Sequence, residues 1–202
     1  MRGHTPNPTR WAGVPLVDRR AERRTRLLDT AFRLFGDGGE AALSVRSVSR
    51  ESGMNTRYFY ESFKDTDELL GALYDRVSVE LGSVVDEAMA AAGESIPARA
   101  RAGMHAVLHF SSADPRRGRV LFTDARTNPV LTVRRAATQE LLRRSVLDEG
   151  TRLQPGREPL AALVAAAMYT GAMTEVAQQW LAGDLGDDLD AVVDIALAFV
   201  LR

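Results

Sequence analysis

SVRSVSRESGMNTRYFYESF, residues 44–63, decides the fold. Ser44 is a favoured helix N-cap, Val45 and Val48 form a narrow apolar stripe behind it, and Gly53 supplies the left-handed stop that ends a helix. A second short helix starts near Asn55 or Thr56 and ends by Phe63. Two short helices joined by a turn of about three residues make a helix-turn-helix pattern. The second helix holds three consecutive aromatics, Tyr58, Phe59 and Tyr60. Neighbours on a helix diverge by about 100°, so three adjacent rings cannot face one core. With Phe59 turned inward, Phe63 falls beside it and Thr56 lies on the same side. Arg57, Tyr58 and Glu61 then point away, and Tyr60 sits on the shoulder.

An outward Arg and two outward tyrosines on a short helix suit a DNA groove. Arg reaches guanine O6 and N7 with two hydrogen bonds, and tyrosine hydroxyls bond phosphate oxygens and set the docking register. Arg46 stands near the groove entry. Ser44 offers a hydroxyl and backbone N–H groups to a phosphate. The plainer alternative leaves these residues as solvated surface, with the tyrosines half-buried against the preceding helix.

That preceding helix is expected over 19–35, with Leu27, Leu28, Ala31, Phe32 and Phe35 on one broad face and GDGG, residues 36–39, as its stop. Residues 1–18, with Pro6, Pro8 and Pro15, read as a flexible arm. Arg2 and Arg10 there, and Arg19, Arg20, Arg23 and Arg24 after it, are expected to attract phosphates. Downstream, Asp65 lies three residues before Glu68, as a capping box needs, and opens a long helix reaching about residue 92. Helices are expected over 98–112, 116–126, 129–150, 158–182 and 187–201, separated by Pro and Gly breaks. No alternating run reads as a strand.

The 202 residues are 45% apolar and 26% charged, enough for a core without staples. The absence of cysteine excludes disulfides and thiolate metal sites. No secretory leader is evident, and the longest apolar run, residues 160–169, is shorter than the roughly 20 residues of a membrane span. A cytoplasmic protein without a membrane partner is expected. The net charge of −1 hides an asymmetry: residues 1–66 carry 12 basic and 8 acidic side chains, and residues 67–202 carry 14 and 19. A basic amino-terminal third points to an anionic partner at one end.

The stretch AFRLFGDGGEAALSVRSVSRESGMNTRYFYESFKDTDELLGALYD resembles the DNA-binding segment of the TetR family of bacterial transcriptional regulators. The likeness covers roughly residues 25–75 and includes Ala31, Phe35, Gly39, Val48, Gly53, Tyr60, Phe63 and Leu69. It implies an all-α fold: a three-helix DNA-binding domain at 19–66, joined by a fourth helix to a ligand-binding and dimerisation domain at 67–202. It further implies that Ser44, Arg46, Asn55, Thr56, Arg57, Tyr58, Tyr60 and Lys64 stand where family members touch DNA. Thr66 occupies the place of a phosphate-binding lysine found in many members, and Lys64 lies two residues earlier. The implied function is a homodimeric repressor released from a near-palindromic operator by a small, largely apolar effector.

The tail GAMTEVAQQWLAGDLGDDLDAVVDIALAFVL resembles the two helices through which the family dimerises. The apolar stripe of Leu189, Val192, Val193, Ala196, Phe199 and Val200 agrees. Val85, Met89, Met104, His105, Leu108, His109, Phe122, Met168, Tyr169 and Met173 are candidate linings of an adaptable apolar pocket, or plain core. His105 and His109 share a helix face but lack a third ligand, so no metal is expected, nor any cofactor. No motif for hydrolase or nucleotide chemistry is present. The competing readings are a helical ligand- or partner-binding protein without DNA function, and an α-helical enzyme.

Overall fold

The computed structural model describes residues Arg10–Trp11 and Val14–Val200, with side chains from residue 19 onward. Arg10–Trp11 (β1) pairs antiparallel with Val14–Pro15 (β2), Trp11 opposite Val14. The rest is helical: α1 Leu16–Gly38, a 3-10 turn Glu40–Ala42, α2 Val45–Ser52, α3 Thr56–Ser62 and α4 Thr66–Ala91. There follow α5 Ile96–Ala113, α6 Pro115–Gly118, α7 Pro129–Leu153, α8 Pro159–Ala182 and α9 Leu189–Val200. The expected arm falls mostly outside the described residues. Where it is described, the β1–β2 pairing replaces the expected absence of strands, and α1 begins at Leu16 rather than 19.

The stop expected in GDGG falls at its last glycine, so α1 runs three residues beyond the expected end at 35. It continues through Gly36 to Gly38, and Gly39, whose φ is 68°, permits the break. The helix expected over 116–126 is cut short: α6 gives way to a π-helical turn, Arg119–Thr123, and Ala125 takes a φ of 50°. A π-turn and a positive φ on a residue bearing a Cβ are both uncommon. Arg135 holds the segment, donating to the carbonyls of Leu121, Val120 and Asp124 at 2.8, 3.0 and 2.7 Å.

Two cores result. Leu27, Ala31, Phe35, Val48, Phe59, Phe63 and Leu69 join α1–α3 to the start of α4, and Phe110, Val120, Leu121 and Leu131 close the cluster from the body. The second core lies among α5, α8 and α9: Met104, Leu108, Met173, Ala177, Val193 and Leu197. Leu81 and Phe122 pack against both. Polar ties also join the amino-terminal helices to the body: Arg119 Nη1 donates to the Gly36 carbonyl at 2.6 Å, and Asn128 Nδ2 donates to Glu40 Oε1 at 2.6 Å.

The apolar run at 160–169 is part of the 24-residue α8, which is long and apolar enough by composition to cross a bilayer, against the expectation from the run alone. Only 28% of its most apolar 18-residue window is buried within the chain. Leu160, Val164 and Met168, spaced by four, lie open on one side of α8, and Ile195 and Phe199 do so on α9.

Candidate nucleic-acid interface

The start of α2 is closed by a reciprocal box. The Ser47 N–H donates to Ser44 Oγ at 3.0 Å, and the Ser44 N–H donates to Ser47 Oγ at 2.9 Å. These two Ser44 groups, expected to meet a phosphate, are therefore engaged within the helix start. Gly53 turns the chain with a φ of 67°. Asn55 Oδ1 then accepts the Arg57 N–H at 2.9 Å and opens α3.

The amphipathic split of α3 follows. Phe59 and Phe63 are sealed in, their ring centroids 5.9 Å apart. Ser44, Arg46, Asn55, Thr56, Arg57, Tyr58, Tyr60 and Lys64 are all exposed, and Thr66 is half-buried. Thr56 thus departs from the inner side expected for it. Tyr60, expected on the shoulder, is the most open of the three rings at 60%, against 40% for Tyr58. Arg57 Nε donates to Glu61 Oε1 at 3.0 Å along the helix face. Lys64, the only lysine in the chain, has its Nζ 3.9 Å from Asp65. The Asp65 carboxylate accepts the Glu68 N–H at 2.8 Å, and Glu68 accepts the Lys64 N–H at 2.7 Å. This fixes the entry to α4 next to the exposed face.

Three arginines of α1 reach the same helix. Arg20 and Arg24 donate to carbonyls of α3, and the Arg23 guanidinium lies 4.8 Å from the Tyr58 ring centroid. Sequence reading placed them among the phosphate attractors. The signal that could have separated them is their i, i+3, i+4 spacing, which puts all three on one side of α1.

The ten residues expected to line a pocket do not all meet. Met104, Leu108 and Met173 are buried in the second core, with Val85, Phe122 and Tyr169 packed at its edge. Met89 approaches Gly103 closely enough that a Cβ there would meet its Sδ at 3.4 Å. The Tyr169 hydroxyl donates to the Ala100 carbonyl at 3.1 Å, and burial pushes its pKa up. His105 is half-buried, its ring stacked on that of His109, 6.0 Å between centroids, and its Nε2 3.9 Å from Asp190. His109 and Met168 are exposed and do not share the interior. Two surface grooves lie elsewhere. One of about 670 Å³ is lined by Gly36, Asp37, Ala113, Asp114, Pro115, Arg116 and Arg119. The other, of about 260 Å³, is lined by Ala136, Gln139, Glu140, Arg143, Ala167 and Thr170. Among the described residues, no group of three or more His, Asp or Glu could hold a metal ion.

Residues 27–73 match the family model of bacterial regulatory proteins, tetR family. The chain is 27% identical over 181 residues to the HTH-type transcriptional activator FasR of Mycolicibacterium smegmatis, covering 89% of this chain and 82% of that protein. Its fold resembles that of the fatty acid degradation regulator FadR from Bacillus halodurans, with a TM-score of 0.71 at 18% identity, over 89% of this chain and 94% of that one. It also resembles FadR from Bacillus subtilis in complex with stearoyl-CoA, with a TM-score of 0.69 at 17% identity, over 88% and 97%.

Proposed function

We propose, from the match of residues 27–73 to the model of bacterial regulatory proteins, tetR family, that this chain is a member of that family and acts as a homodimeric, ligand-responsive repressor that lays α3 in the major groove of a near-palindromic operator. Residues 19–66 form the reader, and residues 67–202 bind the effector and the second subunit in the cytoplasm. The observation that carries the reading is the division of α3: Phe59 and Phe63 anchor it from beneath, which leaves Arg57, Tyr58 and Tyr60 open above. Arg57 reads guanine, and Tyr58, Tyr60, Arg46, Asn55, Thr56, Lys64 and Thr66 dock the backbone. At the start of α2, Ser44 orders the helix end that faces the phosphates.

The open faces of α8 and α9 support dimerisation. Leu160, Val164, Met168, Ile195 and Phe199 form apolar surface that a second copy covers. A twofold pair then spans half-sites roughly 34–36 Å apart. The effector is small and largely apolar, and the stearoyl-CoA held by one structural neighbour supports a long acyl group. It enters beside the second core and shifts α4, and the coupling needed is about 1–3 kcal/mol.

Selection from a random-sequence duplex library, followed by anisotropy titration, tests the reading. Arg57→Ala or Tyr58→Ala should weaken specific binding by about 1–3 kcal/mol with circular dichroism and dimer mass unchanged. Untouched affinity in both variants would remove α3 as the reader. A second reading, activation, is favoured by the likeness to FasR, which is an activator. A promoter fusion in a deletion strain separates the two: expression rises for a repressor and falls for an activator.

A further inference from the structure

α3 has seven residues, Thr56–Ser62. A helix that short does not hold itself together in water, and its last carbonyls have no partner inside the helix. The usual remedy, a left-handed glycine after the last turn, is missing: Phe63 follows with a φ of −142°. Its N–H closes one bond, to the Phe59 carbonyl at 2.8 Å. The carbonyls of Glu61 and Ser62 are taken from outside. Arg20 Nη2 donates to the Glu61 carbonyl at 2.7 Å, and Arg24 Nη1 donates to the Ser62 carbonyl at 2.6 Å.

The same arginines grip side chains. The Arg24 guanidinium lies 4.1 Å from the Phe63 ring centroid. Arg23 lies over Tyr58 and has its Nη2 3.7 Å from Glu61 Oε2. Arg23 Nε is buried without a hydrogen-bond partner, so Arg23 acts through charge and stacking. Glu61 joins the two sides, since its other oxygen holds Arg57. Cations at a helix C-terminus also meet the negative end of its dipole.

We propose that Arg20, Arg23 and Arg24 form a rack on α1 that positions the recognition helix, rather than a set of phosphate contacts. These are positioning residues: they set the angle and order of α3 and, through Glu61, the aim of Arg57. The proposal rests on the reading of α3 as the DNA reader, but its test does not need DNA.

The test is hydrogen exchange on the free full-length protein, comparing wild type with Arg20→Gln/Arg24→Gln. The rack requires exchange of the α3 amides to quicken about tenfold or more while α4 and α5 stay protected. Unchanged α3 exchange overturns it. The single variant Arg24→Gln serves if the double variant does not fold, with the same two outcomes at smaller amplitude. With the duplex enriched from the random library, the rack predicts weaker binding with an unchanged salt slope. If both arginines neutralise phosphates, the slope instead falls by about 0.9 for each, and Arg20→Lys/Arg24→Lys restores affinity. That pair of results also overturns the rack. If the wild type selects no duplex, the regulatory reading fails, and the exchange result still decides the rack.

Discussion

Replacing Gly36 with alanine should destabilise the protein, although the position is helical. Within a helix, alanine is favoured over glycine by about 1 kcal/mol. At Gly36 the new Cβ would stand 2.3 Å from Arg116 Cγ, 2.4 Å from its Cβ and 2.7 Å from its Cδ. The clash is with the root of the side chain, which cannot swing aside as its tip could. The tip is committed as well: Nε and Nη2 donate to the two Asp114 oxygens at 2.9 and 3.0 Å, and the guanidinium lies 5.2 Å from the Phe32 ring centroid. α6 must therefore retreat from α1, stretching the Arg119 bond to the Gly36 carbonyl. Overpacking of this kind costs about 1–3 kcal/mol, and a weakened charge-assisted hydrogen bond adds up to about 1.5–3 kcal/mol. Net of the helix gain, these terms leave Gly36→Ala a loss of up to about 5 kcal/mol. Gly82 is the control: it lies inside α4, and a Cβ added there would meet nothing within 4 Å, so Gly82→Ala should gain up to about 1 kcal/mol. Urea midpoints at equal m-values measure both. Equal stabilisation by the two substitutions would refute the reasoning.

Other outcomes follow from the same packing. Phe59→Ala should cost about 3–5 kcal/mol and unfold the reader first, visible as lost exchange protection in α2 and α3. Phe199→Asp should shift the chain to monomer in sedimentation without changing its helicity; a persistent dimer would move the interface off α9. Acid should act through carboxylates paired with arginine: Arg101 holds Asp194, Arg116 holds Asp114, and Arg143 holds Glu140 below the usual range. A lowered native pKa stabilises above the unfolded value of about 4 and ceases to do so as pH falls through the native value. The melting temperature should hold from pH 7 to about 5, then fall below about 4, and Asp194→Asn should flatten part of that decline.

Much of this is legible in the chain because the signals are local. The four-residue spacing of Phe59 and Phe63 predicts their shared burial, Gly53 predicts the turn, and Asp65 with Glu68 predicts the start of α4. The misses involve partners distant in sequence. Gly36 reads as a helix stop until Arg116, brought over it by the α5–α6 turn, shows why a side chain cannot be there. The π-turn at Arg119–Thr123 depends on Arg135 taking its carbonyls from another helix. Arg20 and Arg24 read as phosphate attractors until α3 lies against them. Met168 carries the apolarity of an interior residue, and only the packing of α8 shows which way it faces.

The solitary lysine has a practical consequence. Lys64 is open to solvent beside α3, and the chain has no thiol to compete with it. An amine-directed fluorophore would therefore label one side chain, along with the α-amino group, without any engineered handle. Acylation also removes the Lys64 charge, so the labelled chain should bind a duplex more weakly if that side chain docks the backbone, and any cysteine later introduced on α9 would accept a second dye orthogonally.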